Sequence, residues 1–136
     1  MFGEDIIIGH ATGKLDNKNR IFIPPFTKVE PKEKIVIEKT IYQDELALKL
    51  HSYHKYYDMI VKLQQLQEKV TTLEEFNELQ SKIENLCRYL FAIVNVDSNK
   101  RITIPKTIID TLNWSLDEPI SMNGIGNSLL ITQSKK

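Results

Sequence analysis

One cysteine, five glycines and five prolines are all that the 136-residue chain holds of the types that most constrain a backbone. Cys87, being alone, cannot form an internal disulfide, and it excludes any cysteine-cluster metal site. No apolar run approaches the roughly 20 residues that a membrane-spanning helix needs. No sign of charge dominates either. Lys and Arg number 18, as do Asp and Glu, so the overall basic signature of a nucleic-acid binder is missing. The opening Met1-Phe2-Gly3-Glu4-Asp5 carries acids where a secretory signal carries bases, which argues against export. Nucleophile elbows, phosphate-binding loops and paired acids are lacking, so neither enzymatic activity nor a cofactor is expected. The remaining composition, 41% hydrophobic and 26% charged, is that of an ordinary globular chain and argues against disorder. A soluble cytoplasmic protein of one domain, or two very small ones, is expected.

What the chain does contain is a repeat. Leu15-Asp16-Asn17-Lys18-Asn19-Arg20-Ile21-Phe22-Ile23-Pro24 returns 81 positions later as Val96-Asp97-Ser98-Asn99-Lys100-Arg101-Ile102-Thr103-Ile104-Pro105, without a gap. Asp, Arg, both Ile and Pro recur in register. Each copy reads as strand, polar turn, strand and proline stop. Asp and Asn suit the turn because their short side chains bond nearby backbone and tolerate left-handed conformations. Alternation puts Ile21 and Ile23, or Ile102 and Ile104, on one face, and Phe22 or Thr103 on the other.

The repeated units extend beyond the decapeptide. An apolar strand precedes each, at Ile6-Ile7-Ile8 and at Phe91-Ala92-Ile93-Val94. Two strands around a turn follow each. In the first unit these are Ile35–Ile37 and Leu46–Leu48 around Gln43-Asp44. In the second they are Pro119–Met122 and Leu129–Ile131 around Asn123–Asn127. A short helix is expected at Thr107–Asn113, whereas Phe26–Lys34, with Pro31 and its charges, reads only as a turn. Between the units, Ile60, Leu63 and Val70, then Phe76, Leu79, Ile83, Leu86 and Leu90, recur at helical spacing. Thr72-x-x-Glu75 is a capping box after the break at Val70-Thr71-Thr72, so this segment is an αα-hairpin. The division is a first unit at 1–51, the hairpin at 52–90 and a second unit at 91–136. Each unit of roughly 45 residues is too small to bury a core alone. Interleaving the two into one pseudo-symmetric barrel covers both cores and both sets of strand edges.

The strand–Asp-x-x-x-Arg-Ile-x-Ile-Pro–strand pattern resembles the SpoVT-AbrB family of bacterial transcription regulators, and the duplication around a helical hairpin resembles its two-copy members. Met1-Phe2-Gly3-Glu4, Arg88-Tyr89-Leu90-Phe91 and Gly124-Ile125-Gly126-Asn127 support the likeness. The resemblance implies a mainly β fold with added α, a pseudo-two-fold double-split β-barrel with the hairpin inserted. It implies sequence-specific binding of double-stranded DNA by a homo-oligomeric ring larger than a dimer. Such a regulator would sit on the nucleoid and repress its own division and cell-wall operon through upstream direct repeats. The family usually has Gly before the motif Arg. Asn19 replaces it comfortably, but Lys100 is expected to strain or alter the second turn.

The motif loops offer Lys14, Lys18 and Arg20, then Lys100, Arg101 and Lys106. Cations on tight turns can meet phosphates, and Arg can bridge guanine O6 and N7. The plainer reading is that Asp16–Arg20 and Asp97–Arg101 are ion pairs pinning their own turns. The resemblance favours DNA contact by Arg20 above all, with Asp16, Asn19 and Asp97 orienting the turns. Elsewhere, His51-x-x-His54 has metal-ligand spacing on a helix but no third ligand, so no metal is expected. Tyr53, Tyr56, Tyr57 and Cys87 read as packing residues. A competing function is an oligomeric scaffold or regulatory partner that has lost DNA recognition, suggested by Lys100 and the neutral charge balance.

Overall fold

β-Branched alternation sets most of the strands. In a computed structural model that describes residues 1–133, these are β1 (His10–Gly13), β2 (Arg20–Phe22), β3 (Lys34–Tyr42) and β4 (Glu45–Ser52) in the first half. The second half holds β5 (Leu90–Asn95), β6 (Arg101–Thr103), β7 (Ile120–Ile125) and β8 (Ser128–Gln133). Helices α1 (Tyr53–Lys69) and α2 (Leu73–Arg88) lie between the halves, and α3 (Lys106–Leu112) follows β6. Pro25–Thr27 forms one 3-10 turn, ended by Lys28 in a left-handed conformation, where the sequence suggested a plain turn. Lys135 and Lys136 lie outside the described residues. No helix among the described residues is long and apolar enough to cross a membrane.

The fold is mixed α and β, with antiparallel sheets. Six strands form one sheet in the order β1-β7-β8-β4-β3-β5, and β2 pairs with β6 in a separate two-stranded ribbon. The sheet is not closed: β1 and β5 are its edges. Strands of the two halves are interleaved, since β1 pairs with β7 and β5 with β3. Adding 81 to a first-half number maps the Leu48–Ile131 pair onto Leu129–Leu50, and Arg20–Thr103 onto Arg101–Phe22. The approximate two-fold axis therefore passes through the pairs Ile21–Ile102 and Lys49–Leu130.

Around that axis lies the core. Ile21, Ile23, Ile102 and Ile104 of the motifs are buried with Ile37, Leu48, Leu50, Leu129 and Ile131 of the sheet. Each such side chain contributes roughly 1.5–3 kcal/mol by leaving water. On the sheet's other face, α1 lies across β3 and β4. Tyr56 is buried there, and its hydroxyl has no hydrogen-bond partner among the described residues. Burial pushes that phenol up to about 12. His51 lies on the same side, with Nδ1 2.8 Å from Ser128 Oγ and Nε2 3.4 Å from Glu38 Oε2. Its burial holds the imidazole below its ordinary pKa, against the pull of the Glu38 carboxylate.

Several expectations need correction. Ile6–Ile8 is not a strand: pairing starts at His10, after Gly9, whose φ of 154° turns the chain against the Phe26 ring. Only Ile7 of the three is buried, and its amide donates to the Gly126 carbonyl at 2.8 Å. The segment crosses β7 so closely that a Cβ on Gly124 would lie 2.1 Å from the Ile7 oxygen. The last turn is also tighter than expected. Asn123 and Gly124 belong to β7, and Gly126-Asn127 alone makes the turn. Cys87 is exposed rather than in the core, because α2 packs on α1 and buries none of its residues. Of the tyrosines, Tyr53 is half-buried and Tyr57 is exposed, their rings stacked 5.9 Å apart. His51 and His54 share no helix, since the first lies in β4 and the second in the first turn of α1.

Candidate nucleic-acid interface

Each motif turn is built from one aspartate. Buried Leu15 anchors the first, and Asp16 then takes three donors. Its Oδ1 accepts the amides of Lys18 and Arg20 at 2.9 Å each, and its Oδ2 accepts Arg20 Nε at 2.7 Å. The backbone closes around it, with Asp16 N donating to Arg20 O at 3.0 Å and Asn19 N to Asp16 O at 3.0 Å. The second turn repeats this. Asp97 Oδ1 accepts Asn99 and Arg101 amides at 2.9 Å each, and its Oδ2 accepts Arg101 Nε at 2.9 Å. Asn19 has φ 61° and Lys100 φ 60°. Of the two expectations for Lys100, strain is the one met: the second turn keeps the course of the first, and carboxylate-to-amide bonds hold a lysine in the conformation that favours glycine.

Those bonds also fix the charge. The Arg20 amide, ahead of its guanidinium, holds the Asp16 carboxyl down at about 2. The Arg101 amide does the same for Asp97, which is held below the ordinary aspartate range. Both clamps are thus ionised at any physiological pH. The ion-pair reading of Asp16–Arg20 and Asp97–Arg101 is realised, with N–O distances of 2.7 and 2.9 Å. It does not consume the arginines. Their described bonds use Nε, which leaves the outer guanidinium nitrogens, spaced for bidentate contacts, without a partner among the described residues.

The two turns are joined to each other. Ile104 N donates to Asn19 O, and Ile23 N to Lys100 O, at 2.9 Å each. Between them runs the β2–β6 ribbon, with Ile21 and Ile102 directed inward. Its outward face carries two cross-strand pairs, Arg20–Thr103 and Phe22–Arg101. The Arg101 guanidinium carbon lies 5.6 Å from the centre of the Phe22 ring, a cation–π distance. Lys18 and Lys100 are exposed on the turns, while Lys14 leaves β1 just before the first turn and Lys106 opens α3. Lys14, Lys18, Arg20, Lys100, Arg101 and Lys106 thus stand against only two carboxylates, Asp16 and Asp97, in the motif segments of a chain with zero net charge.

No protein-family model matches the chain, and no curated protein matches it.

Lys14, Lys18, Arg20, Lys100 and Arg101 all lie in these two linked segments; the carboxylates of Asp16 and Asp97 hold the two arginine side chains, and Asn19 takes part through its backbone. Sequence reasoning did not single out Phe22 and Thr103 as surface groups of the same face. Alternation had already set both opposite the buried isoleucines, which was the available signal.

Proposed function

We propose that this chain is a sequence-specific DNA-binding transcription regulator of the SpoVT-AbrB type, of the two-copy MraZ kind. It acts by binding rather than by catalysis, and its partner is double-stranded DNA upstream of its own operon. In this reading the open sheet and the β2–β6 ribbon are the parts of a double-split barrel, and repression of division and cell-wall genes is the output. The observation that supports it best is the pair of identical Asp–Arg turns, hydrogen-bonded to each other across one ribbon. A rigid ribbon carrying two oriented guanidinium groups has the size and chemistry for a major groove.

One such ribbon binds weakly, so the reading includes a homo-oligomeric ring larger than a dimer, which engages repeated sites at high effective concentration. Exposed Ile6, Ile8, Ile41, Leu73 and Ile93 are apolar surface consistent with self-association. The scaffold alternative now draws on the neutral charge alone, since Lys100 adopts the same turn as Asn19.

A mobility-shift titration with the upstream region tests the reading. Affinity is expected to fall with salt on a log–log slope of about −0.9 per phosphate neutralised. Arg20→Ala is expected to weaken binding by about 1–3 kcal/mol per engaged site. A slope near zero, or binding unchanged in a folded Arg20→Ala protein, would remove the site. Sedimentation of a monomer at micromolar concentration would remove the ring.

A further inference from the structure

Phe22 is 62% exposed, yet it sits opposite Arg101 on the ribbon that joins the two cation-bearing motif segments. Nothing in the packing calls for it there. The core side of β2 is filled by Ile21, and the two-fold counterpart of Phe22 is Thr103, a small polar residue. Instead the ring is held from one side by the Arg101 guanidinium at 5.6 Å. The two carboxylates of the motif segments, Asp16 and Asp97, are both engaged with backbone amides and Arg Nε. An exposed apolar ring against a guanidinium, with no free acid of its own segment beside it, fits a polyanion that also offers apolar groups.

Resting on the DNA-binding reading above, we infer that Phe22 is a specificity residue that contacts the C5-methyl group of a thymine in the major groove. Phenylalanine and the threonine methyl are both side groups that meet thymine methyls there. The spacing is right. Arg20 and Phe22 are two residues apart on one strand, so about 7 Å, which matches two base steps of about 3.4 Å. The ribbon therefore presents a guanidinium and an apolar ring to bases two steps apart. It also breaks the two-fold symmetry of the chain: one end of the ribbon offers Phe22 beside Arg101, the other Thr103 beside Arg20. The element bound by one protomer is consequently directional, with the stronger thymine requirement at the Phe22 end.

The test uses the full chain and a preferred duplex selected from a random pool, in which each thymine is replaced singly by deoxyuridine, which lacks only the methyl. Fluorescence anisotropy then compares wild type, Phe22→Ala and Phe22→Leu. At one thymine per bound protomer, wild type and Phe22→Leu are expected to lose roughly three- to fivefold in affinity, the worth of one buried methyl group. Phe22→Ala, already weaker, is expected to lose nothing further at that position. Deoxyuridine effects that are absent, or identical in wild type and Phe22→Ala, with DNA binding intact, would overturn the inference and leave the regulator reading standing. A Phe22→Ala protein that sediments as a smaller species with an unchanged deoxyuridine pattern would assign the ring to a contact between copies, and overturn it as well. Failure of the wild type to select any duplex would overturn both.

Discussion

At the scale of single residues, Lys100 is the clearest case of a side chain placed against its backbone preference. A φ of 60° costs a lysine roughly 1–2 kcal/mol that glycine avoids, partly offset by the greater freedom of glycine in the unfolded chain. Lys100→Gly is therefore expected to raise stability by about 0.5–1 kcal/mol in urea unfolding. The same change removes a surface cation, so the salt slope of DNA binding should become shallower by about 0.9. Asn19→Gly should gain less, because asparagine tolerates this conformation. Titration gives a second expectation. Asp16 is held at about 2 and Asp97 is also lowered, so both contribute stability that is present above the ordinary aspartate value of 3.8 and lost as pH falls from there. His51 is held below the ordinary histidine value of 6.5, so the unfolded chain takes up a proton first and stability declines as pH falls below that point. Acid unfolding should thus proceed in two windows. His51→Gln should remove the upper one and Asp16→Asn should blunt the lower one, as followed by the urea midpoint at each pH.

At the scale of elements, local chemistry was legible where it was complete. Thr72 accepts the Glu75 amide at 3.2 Å, so the N-cap half of the capping box in the sequence is the cap in the structure. The β3–β4 hairpin follows from Gln43-Asp44, with φ of 51° and 64°, although its strands run well beyond the apolar triplets. Periodicity misled where it counted apolar residues without knowing their partner. Phe76 keeps helical spacing with Leu79 and Ile83, but α2 packs chiefly on α1, so Phe76 stays exposed. Ile6–Ile8 failed as a strand because Gly9 and the close crossing at Gly124 set its path, and no local pattern records a crossing. The α1 face holds a testable defect. Tyr56 buries a hydroxyl with no partner among the described residues, and such a group costs about 1–3 kcal/mol. Tyr56→Phe should accordingly stabilise the protein by about 1 kcal/mol in thermal unfolding. A loss of stability would mean that the hydroxyl is satisfied in solution.

At the scale of the whole molecule, the duplication was legible because five residues of a ten-residue motif recur in register, and interleaving followed from the poor cores of the separate halves. The strand order did not follow. It depends on which edges meet, and β1–β7 and β5–β3 pairings join residues far apart in sequence. The paired Arg20 and Arg101 turns were visible as motifs, yet their mutual hydrogen bonds and the exposed Phe22 between them required the ribbon register. That register has a consequence in time. As the chain leaves the ribosome, β3 and β4 can zip at once, but β1 and β2 must wait for β7 and β6, which emerge much later. Folding of the sheet is then completed only once β6 to β8 have emerged, and until then the helical hairpin is the tether between two unfinished halves. Cutting that tether between Val70 and Leu73 should leave fragments that are unstructured apart and fold on mixing, with a melting temperature that rises with concentration. Fragments that fold separately, each with a cooperative transition independent of the other, would show that the halves do not need each other.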